Sequence, residues 1–191
     1  MFLKPLRKNE LPYTDPFILS EKYMYYLAYG SNLHPLRLIL RVPNARLVGT
    51  ARLKQYRLTF HKRSTDGSAK CNLDFSENSG HVTHVAVYEM PENEVHLLDT
   101  AEGLGNGYWK HKMSVKIDDK DLDVFVYLAS SSHLVLDLEP YHWYKDFVLA
   151  GARKHQFPTE YIEQISIIAS KHDPEDNRRN EMENLLVQLN G

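Results

Sequence analysis

Glu102 stands at the end of an apolar helical pattern, where a carboxylate is out of place. In "ENEVHLLDTAEGLGNGYW", Val95, Leu98 and Glu102 recur at the spacing of one helix face, so the carboxylate shares the side that turns toward a core. It also closes the helix just before Gly103, where the backbone dipole disfavours negative charge. Burial and the dipole together would raise its pKa, and a carboxyl group so poised can exchange protons as a general acid/base. The competing reading turns Glu102 to solvent in the last turn, or pairs it with a nearby arginine. Gly103, Gly105 and Gly107 follow within a few residues and allow a substrate close to the backbone, as a plain glycine loop also would.

A second stretch, "YYLAYGSNL", breaks an aromatic strand into Gly30, Ser31 and Asn32. It is either an ordinary tight turn or a backbone ligand cradle. Ser31 lacks a G-x-S-x-G elbow and has no histidine or aspartate at triad spacing, which speaks against a nucleophilic serine. The ten histidines include no H-E-x-x-H, and His81 and His84 are expected on opposite faces of a strand, so the histidines read as surface or structural rather than metal ligands. Cys71, the sole cysteine, alternates with Leu73 and Phe75 as a small core residue.

The elements that must position these residues follow from periodicity. Residues 23–29 are apolar on both faces, as in a buried central strand. "LHPLRLILR" places Pro35 in the first turn of a short helix. Period-two alternation then marks strands in "ARLKQYRLTF", "AKCNLDF", "HVTHVAVYEM", "KMSVKI" and "LDVFVYLA", the last two joined as a hairpin through "DDKD". Helical spacing returns in "ENEVHLLDTAE", "PYHWYKDFVLAGARKH", "PTEYIEQISIIAS" and "PEDNRRNEMENLLVQLN". The expected class is α+β: a small mixed or antiparallel β-barrel with surrounding helices, in one domain over residues 1–191. Residues 1–22 read as an extended arm, and the C-terminal apolar stripe as intramolecular packing or the seam of a homodimer.

Composition narrows the partners. Lys plus Arg number 23 against 25 Asp plus Glu, a balance of −2 that offers no general pull toward nucleic acid or anionic lipid. Arg46, Arg52, Lys54, Arg57, Lys62 and Arg63 make the central strands locally basic, which reads as a solvated strand face. With a single cysteine, no signal-like start and no apolar stretch of bilayer length, the expectation is a soluble, cytoplasmic protein that acts on a small molecule and engages neither nucleic acid nor membrane.

Four segments in order, "YYLAYGSNL", "ARLKQYRLTF", "LLDTAEGLGNGY" and "YKDFVLAGARKHQFPTEY", resemble the gamma-glutamylcyclotransferases over about residues 24–170. That resemblance implies conversion of a γ-glutamyl amino acid into 5-oxoproline and the free amino acid, without metal or organic cofactor. It implies Glu102 as the acid/base. It also implies that Tyr26, Leu27, Ala28, Tyr29, Gly30, Ser31 and Asn32 supply the loop that holds the glutamyl part, and that Tyr144 contacts substrate. The spacing from Glu102 to the next Gly-Tyr pair is shorter by one residue than in the family, leaving Tyr108 or Trp109 as the aromatic at the site. Gln156, Phe157 and Pro158 replace a Gly-Leu-Pro and are expected to alter the pocket rim. Two other activities stay open: cyclotransfer from a γ-glutamylamine or another γ-glutamyl metabolite, and ligand binding without turnover.

Overall fold

A computed structural model describes residues 22–190; the expected N-terminal arm lies almost wholly outside the described residues. Strand β1 (Tyr23–Ala28) is central in a five-stranded mixed sheet of order β2-β5-β1-β7-β6. It runs antiparallel to β5 (Val82–Pro91), from Tyr23 opposite Pro91 to Ala28 opposite Ala86, and parallel to β7 (Lys120–Ala129). A strand flanked on both sides must be apolar on both faces, and Tyr26, Leu27 and Ala28 are accordingly buried. The edges are β2 (Arg46–Lys54) and β6 (Tyr108–Ile117). The sheet curls until these edges meet, so that a Cβ on Gly49 of β2 would lie 3.0 Å from Ile117 of β6. The result is a half-barrel.

In β6 the alternation reads out directly: Val115 and Ile117 are buried while Lys112, Ser114 and Lys116 face water. Asp118 and Asp119 turn the β6–β7 hairpin with φ of 45° and 64°, the left-handed pair that a tight hairpin matched to strand twist requires. The segment "ARLKQYRLTF" is not one strand. It breaks at Gln55, whose φ is 62°, and the chain leaves β2 to form a separate two-stranded sheet from β3 (Tyr56–Arg63) and β4 (Ala69–Phe75). The alternation slips by one residue there: Ala51 and Leu53 precede the adjacent polar pair Lys54 and Gln55, and Tyr56, Leu58 and Phe60 resume the period in the opposite phase.

Helix α1 (Pro35–Ile39) is a single short turn after β1, and α2 (Val95–Glu102) follows β5. Gly103 ends α2 in the left-handed conformation at φ 66°, returning its N–H to Thr100, a C-cap that other residues adopt only under strain. Helix α3 (His142–Lys154) buries Phe147, Val148 and Ala152 completely. It is flanked by α4 (Thr159–Ser166) and α5 (Asp176–Asn190). The Trp143 indole on α3 donates to Asp173 just before α5 at 2.8 Å, and Arg178 of α5 clamps the same carboxylate. Among the described residues, no helix is long and apolar enough to cross a membrane.

Candidate active site

The turn after β1 is held from three sides. Ser31–Leu33 form a short 3-10 turn in which Leu33 N–H is the first to bond back, to Gly30 at 3.0 Å. The amides of Ser31 and Asn32 therefore have no acceptor within the turn. Behind it, α3 comes so near that a Cβ on Gly151 would lie 2.4 Å from Leu33 Cβ. The Leu33 carbonyl accepts from the Tyr88 hydroxyl and from His155 Nε2, each at 2.6 Å, which places the imidazole proton on Nε2. In front, a Cβ on Gly30 would sit 3.1 Å from Cys71 Cβ and 3.5 Å from the Tyr144 hydroxyl. Glycine lets the backbone lie directly against β4 and α3.

Against this turn stands Glu102. Its Oε1 accepts from Asn32 Nδ2 at 2.8 Å and from Arg41 Nη1 at 2.9 Å, while the same guanidinium nitrogen donates to Asn32 Oδ1 at 2.8 Å. Asn32 Nδ2 also donates to the Tyr26 hydroxyl at 3.1 Å. Both bonds to the carboxylate converge on Oε1, and Oε2 has no protein partner among the described residues. Side-chain exposures of 17% for Glu102 and 25% for Arg41 make this a half-buried pair that solvent weakens only partly.

The carboxylate borders two adjoining spaces. A cleft of about 20 Å³ is lined by Tyr29, Gly30, Ser31, Asn32, Cys71, Glu102, Tyr108 and Tyr144. A chamber of about 120 Å³ shares Ser31, Glu102, Tyr108 and Tyr144 with it and adds Arg41, Lys62, Ser64, Lys70 and Ala101. Larger grooves of about 500 and 600 Å³ lie elsewhere, over the β2–α4 side and along β1–β7, and neither reaches Glu102.

Most of the polar lining is locked in place. Tyr144 accepts the Cys71 amide proton at 3.1 Å, Tyr108 donates to the Cys71 carbonyl, and Tyr29 donates to the Tyr127 carbonyl. Burial raises the phenols of Tyr26, Tyr29, Tyr108 and Tyr144 far above the ordinary tyrosine value, so they stay protonated. Burial likewise pushes the Cys71 thiol up to about 12, which removes it as a nucleophile. No histidine lines either space. His84 instead packs its ring on Tyr161, and His81 bonds Ser76.

The structure thus gathers Glu102, Tyr29, Gly30, Ser31, Asn32, Tyr108 and Tyr144 around one space. Tyr26 stands one hydrogen bond behind it, through Asn32. Leu27 and Ala28 do not border it; both are fully buried in the sheet core and carry the turn rather than line the cleft. Between the two aromatic candidates the fold selects Tyr108, since Trp109 is 53% exposed on the other face of β6. Gln156, Phe157 and Pro158 border neither space, for Phe157 is stacked on His155 behind α3.

Three cations on the chamber wall were not expected there. A carboxylate on an apolar helix face asks for a cationic partner, but nothing local in the sequence singles out Arg41 from the other arginines. Lys70 lies in β4 and is bound to Asp66 at 2.8 Å. Lys62 belongs to the basic run read as a solvated face, yet it is only 6% exposed. It follows Leu58 and Phe60 at period two on the inward face of β3, and that spacing is the signal that could have revealed it.

The AIG2-like family model matches residues 82–165. Human gamma-glutamylcyclotransferase is 27% identical over 155 residues, covering 78% of this chain and 80% of that protein, and the mouse protein matches at the same identity and coverage. A solved structure of a gamma-glutamyl cyclotransferase superposes with a TM-score of 0.72 at 25% identity, over 87% of this chain and 99% of the other. The half-barrel with its helices, the turn against Glu102 and these likenesses agree: the chain is similar in sequence to the gamma-glutamylcyclotransferases and shares their fold.

Proposed function

We propose that the protein is an enzyme that closes the glutamyl part of a γ-glutamyl amino acid into 5-oxoproline and releases the second amino acid. The observation that carries this reading is the carboxylate of Glu102, anchored through Oε1 and open at Oε2, beside the turn of Gly30 to Asn32. In the reaction the substrate's α-amine forms a bond to its own γ-carbonyl carbon, and the bond from that carbon to the second amino acid's nitrogen breaks. Two protons must leave the attacking nitrogen and two must reach the departing one. Nucleophile and electrophile share one molecule, so the protein has chiefly to hold a folded conformer and carry protons.

Glu102 Oε2 carries these protons one at a time, taking each from the attacking nitrogen, first as ammonium and then after the new bond forms, and giving it to the leaving nitrogen. The amides of Ser31 and Asn32, free of partners within the turn, bind the glutamyl carboxylate or the oxyanion that develops at the γ-carbonyl. The protonated phenols of Tyr108 and Tyr144 wall the space without competing for the proton. The purified protein should release 5-oxoproline from γ-glutamyl-alanine. A panel with γ-glutamyl-ε-lysine and glutathione sets the acceptor range, and no 5-oxoproline from any of the three would reject the reading.

A further inference from the structure

Lys62 is a buried cation without an anion. It is 6% exposed, and its Nζ lies 4.6 Å from the centre of the Tyr108 ring, yet among the described residues no carboxylate lies within ion-pair distance of it and no acceptor within hydrogen-bond distance, Glu102 and Asp66 acting on it only from farther off. The other cations of the chamber are spoken for: Arg41 by Glu102 and Asn32, Lys70 by Asp66 and Ser68. Pair by pair the charges cancel, leaving one positive charge on the chamber wall. Its stem is also pinned, because a Cβ on Gly107 would fall 2.9 Å from Lys62 Cε. An ammonium held in place on a mostly buried stem, bordering the chamber and without an ion-pair partner, is a receptor for an anion that arrives with the ligand.

The substrate chemistry says which anion, and this step rests on the cyclotransferase reading above. With the glutamyl half against the turn and the scissile nitrogen at Glu102, the departing group extends into the chamber that Lys62 borders. If that group is an α-amino acid, its carboxylate is two bonds from the scissile nitrogen. We propose that Lys62 binds the carboxylate of the departing amino acid and so selects γ-glutamyl α-amino acids over γ-glutamylamines and over peptides in which that carboxylate is an amide. Burial pulls the Lys62 pKa down while Glu102 and Asp66 pull it up, so a bound carboxylate also secures the charge.

The test compares γ-glutamyl-alanine with γ-glutamyl-alaninamide, which differ in that one charge, on wild type, Lys62→Met and Lys62→Arg. Lys62→Met should raise KM for γ-glutamyl-alanine by about 10- to 100-fold, the usual range for one charge-assisted bond. It should leave kcat within about 3-fold and KM for the amide unchanged, while Lys62→Arg keeps part of the preference. Equal losses on both substrates, or none on either, overturn the assignment. Calorimetric binding of the two ligands separates this from the reaction itself. Wild type that binds γ-glutamyl-alanine in preference to the amide, but turns over neither, would retain Lys62 and reject cyclotransfer; loss of both binding preference and turnover would reject both.

Discussion

Asn32 and Glu102, 70 residues apart in the chain, are joined by a 2.8 Å hydrogen bond from amide to carboxylate. That bond ties the turn after β1 to the last residue of α2, so the two walls of the site cannot move independently. Arg41 closes the triangle by donating to both.

Glu102→Gln keeps an oxygen that Asn32 and Arg41 can hold but cannot accept the substrate's proton. Turnover to 5-oxoproline should fall by about 10²- to 10⁴-fold, with substrate affinity near wild type. Steady-state kinetics and calorimetry on the same preparation check both halves, and near-normal kcat would reject Glu102 as the acid/base.

Asn32→Ala removes the tie to Glu102 together with the bonds to Tyr26 and Arg41. A carboxylate released by even a small displacement should lose about 10²-fold in kcat. KM should change less, because the backbone of the turn remains. A larger effect on KM than on kcat would show that the Asn32 side chain binds substrate directly.

Gly30→Val would drive a branched side chain into Cys71, since even a Cβ there lies at 3.1 Å. The turn should shift, destabilising the fold by about 1–3 kcal/mol and abolishing calorimetric binding of a γ-glutamyl ligand. Gly151→Ala meets Leu33 at 2.4 Å from behind and should lower the melting temperature and the activity together. Unchanged affinity in the Gly30 variant would count against the turn as the glutamyl cradle.

Asp173 offers a stability test remote from the site. Its buried carboxylate accepts from Arg178 at 2.7 Å and from Trp143 at 2.8 Å. The hydrogen bonds from Arg178 hold its pKa well below the usual carboxylate range, against the opposing effect of burial. A depressed folded value means that the stabilisation is complete above the unfolded pKa of about 3.9 and is lost as pH falls toward the folded value. At neutral pH Asp173→Asn should destabilise by about 3 kcal/mol, and below pH ~4 the gap to wild type should narrow, as urea denaturation at both pH values will show. A gap that does not change with pH would mean that the charge of Asp173 is not what holds α5.

Where local order decides, the amino-acid sequence was enough. Apolar periodicity and Gly103 placed Glu102 at the end of a helix, and alternation located β4, β5 and the β6–β7 hairpin. Each of these rests on residues within a few positions of one another, where side-chain period and terminators act directly. Gln55 shows the limit: a turn with φ of 62° splits the stretch into strands of two sheets, and its local trace is only a one-residue slip in the alternation at Lys54 and Gln55.

The electrostatics of the site belonged to the tertiary structure. Helix projection identified a misplaced carboxylate but not its partner, because Arg41 is 61 residues away and only the tertiary fold brings the segment after α1 to the end of α2. Lys62 counted as one more surface charge until the curl of β3 over the site enclosed it. The choice of Tyr108 over Trp109 came from the pairing of β6 with β7, since alternation separates two neighbouring residues but cannot say which face is inward. The sequence by itself determined which local elements form and that Glu102 and the turn of Gly30 to Asn32 stand at their ends. Tertiary packing alone decided which charges are paired and which is left for a ligand, because pairing and burial depend on contacts between segments that no local period encodes.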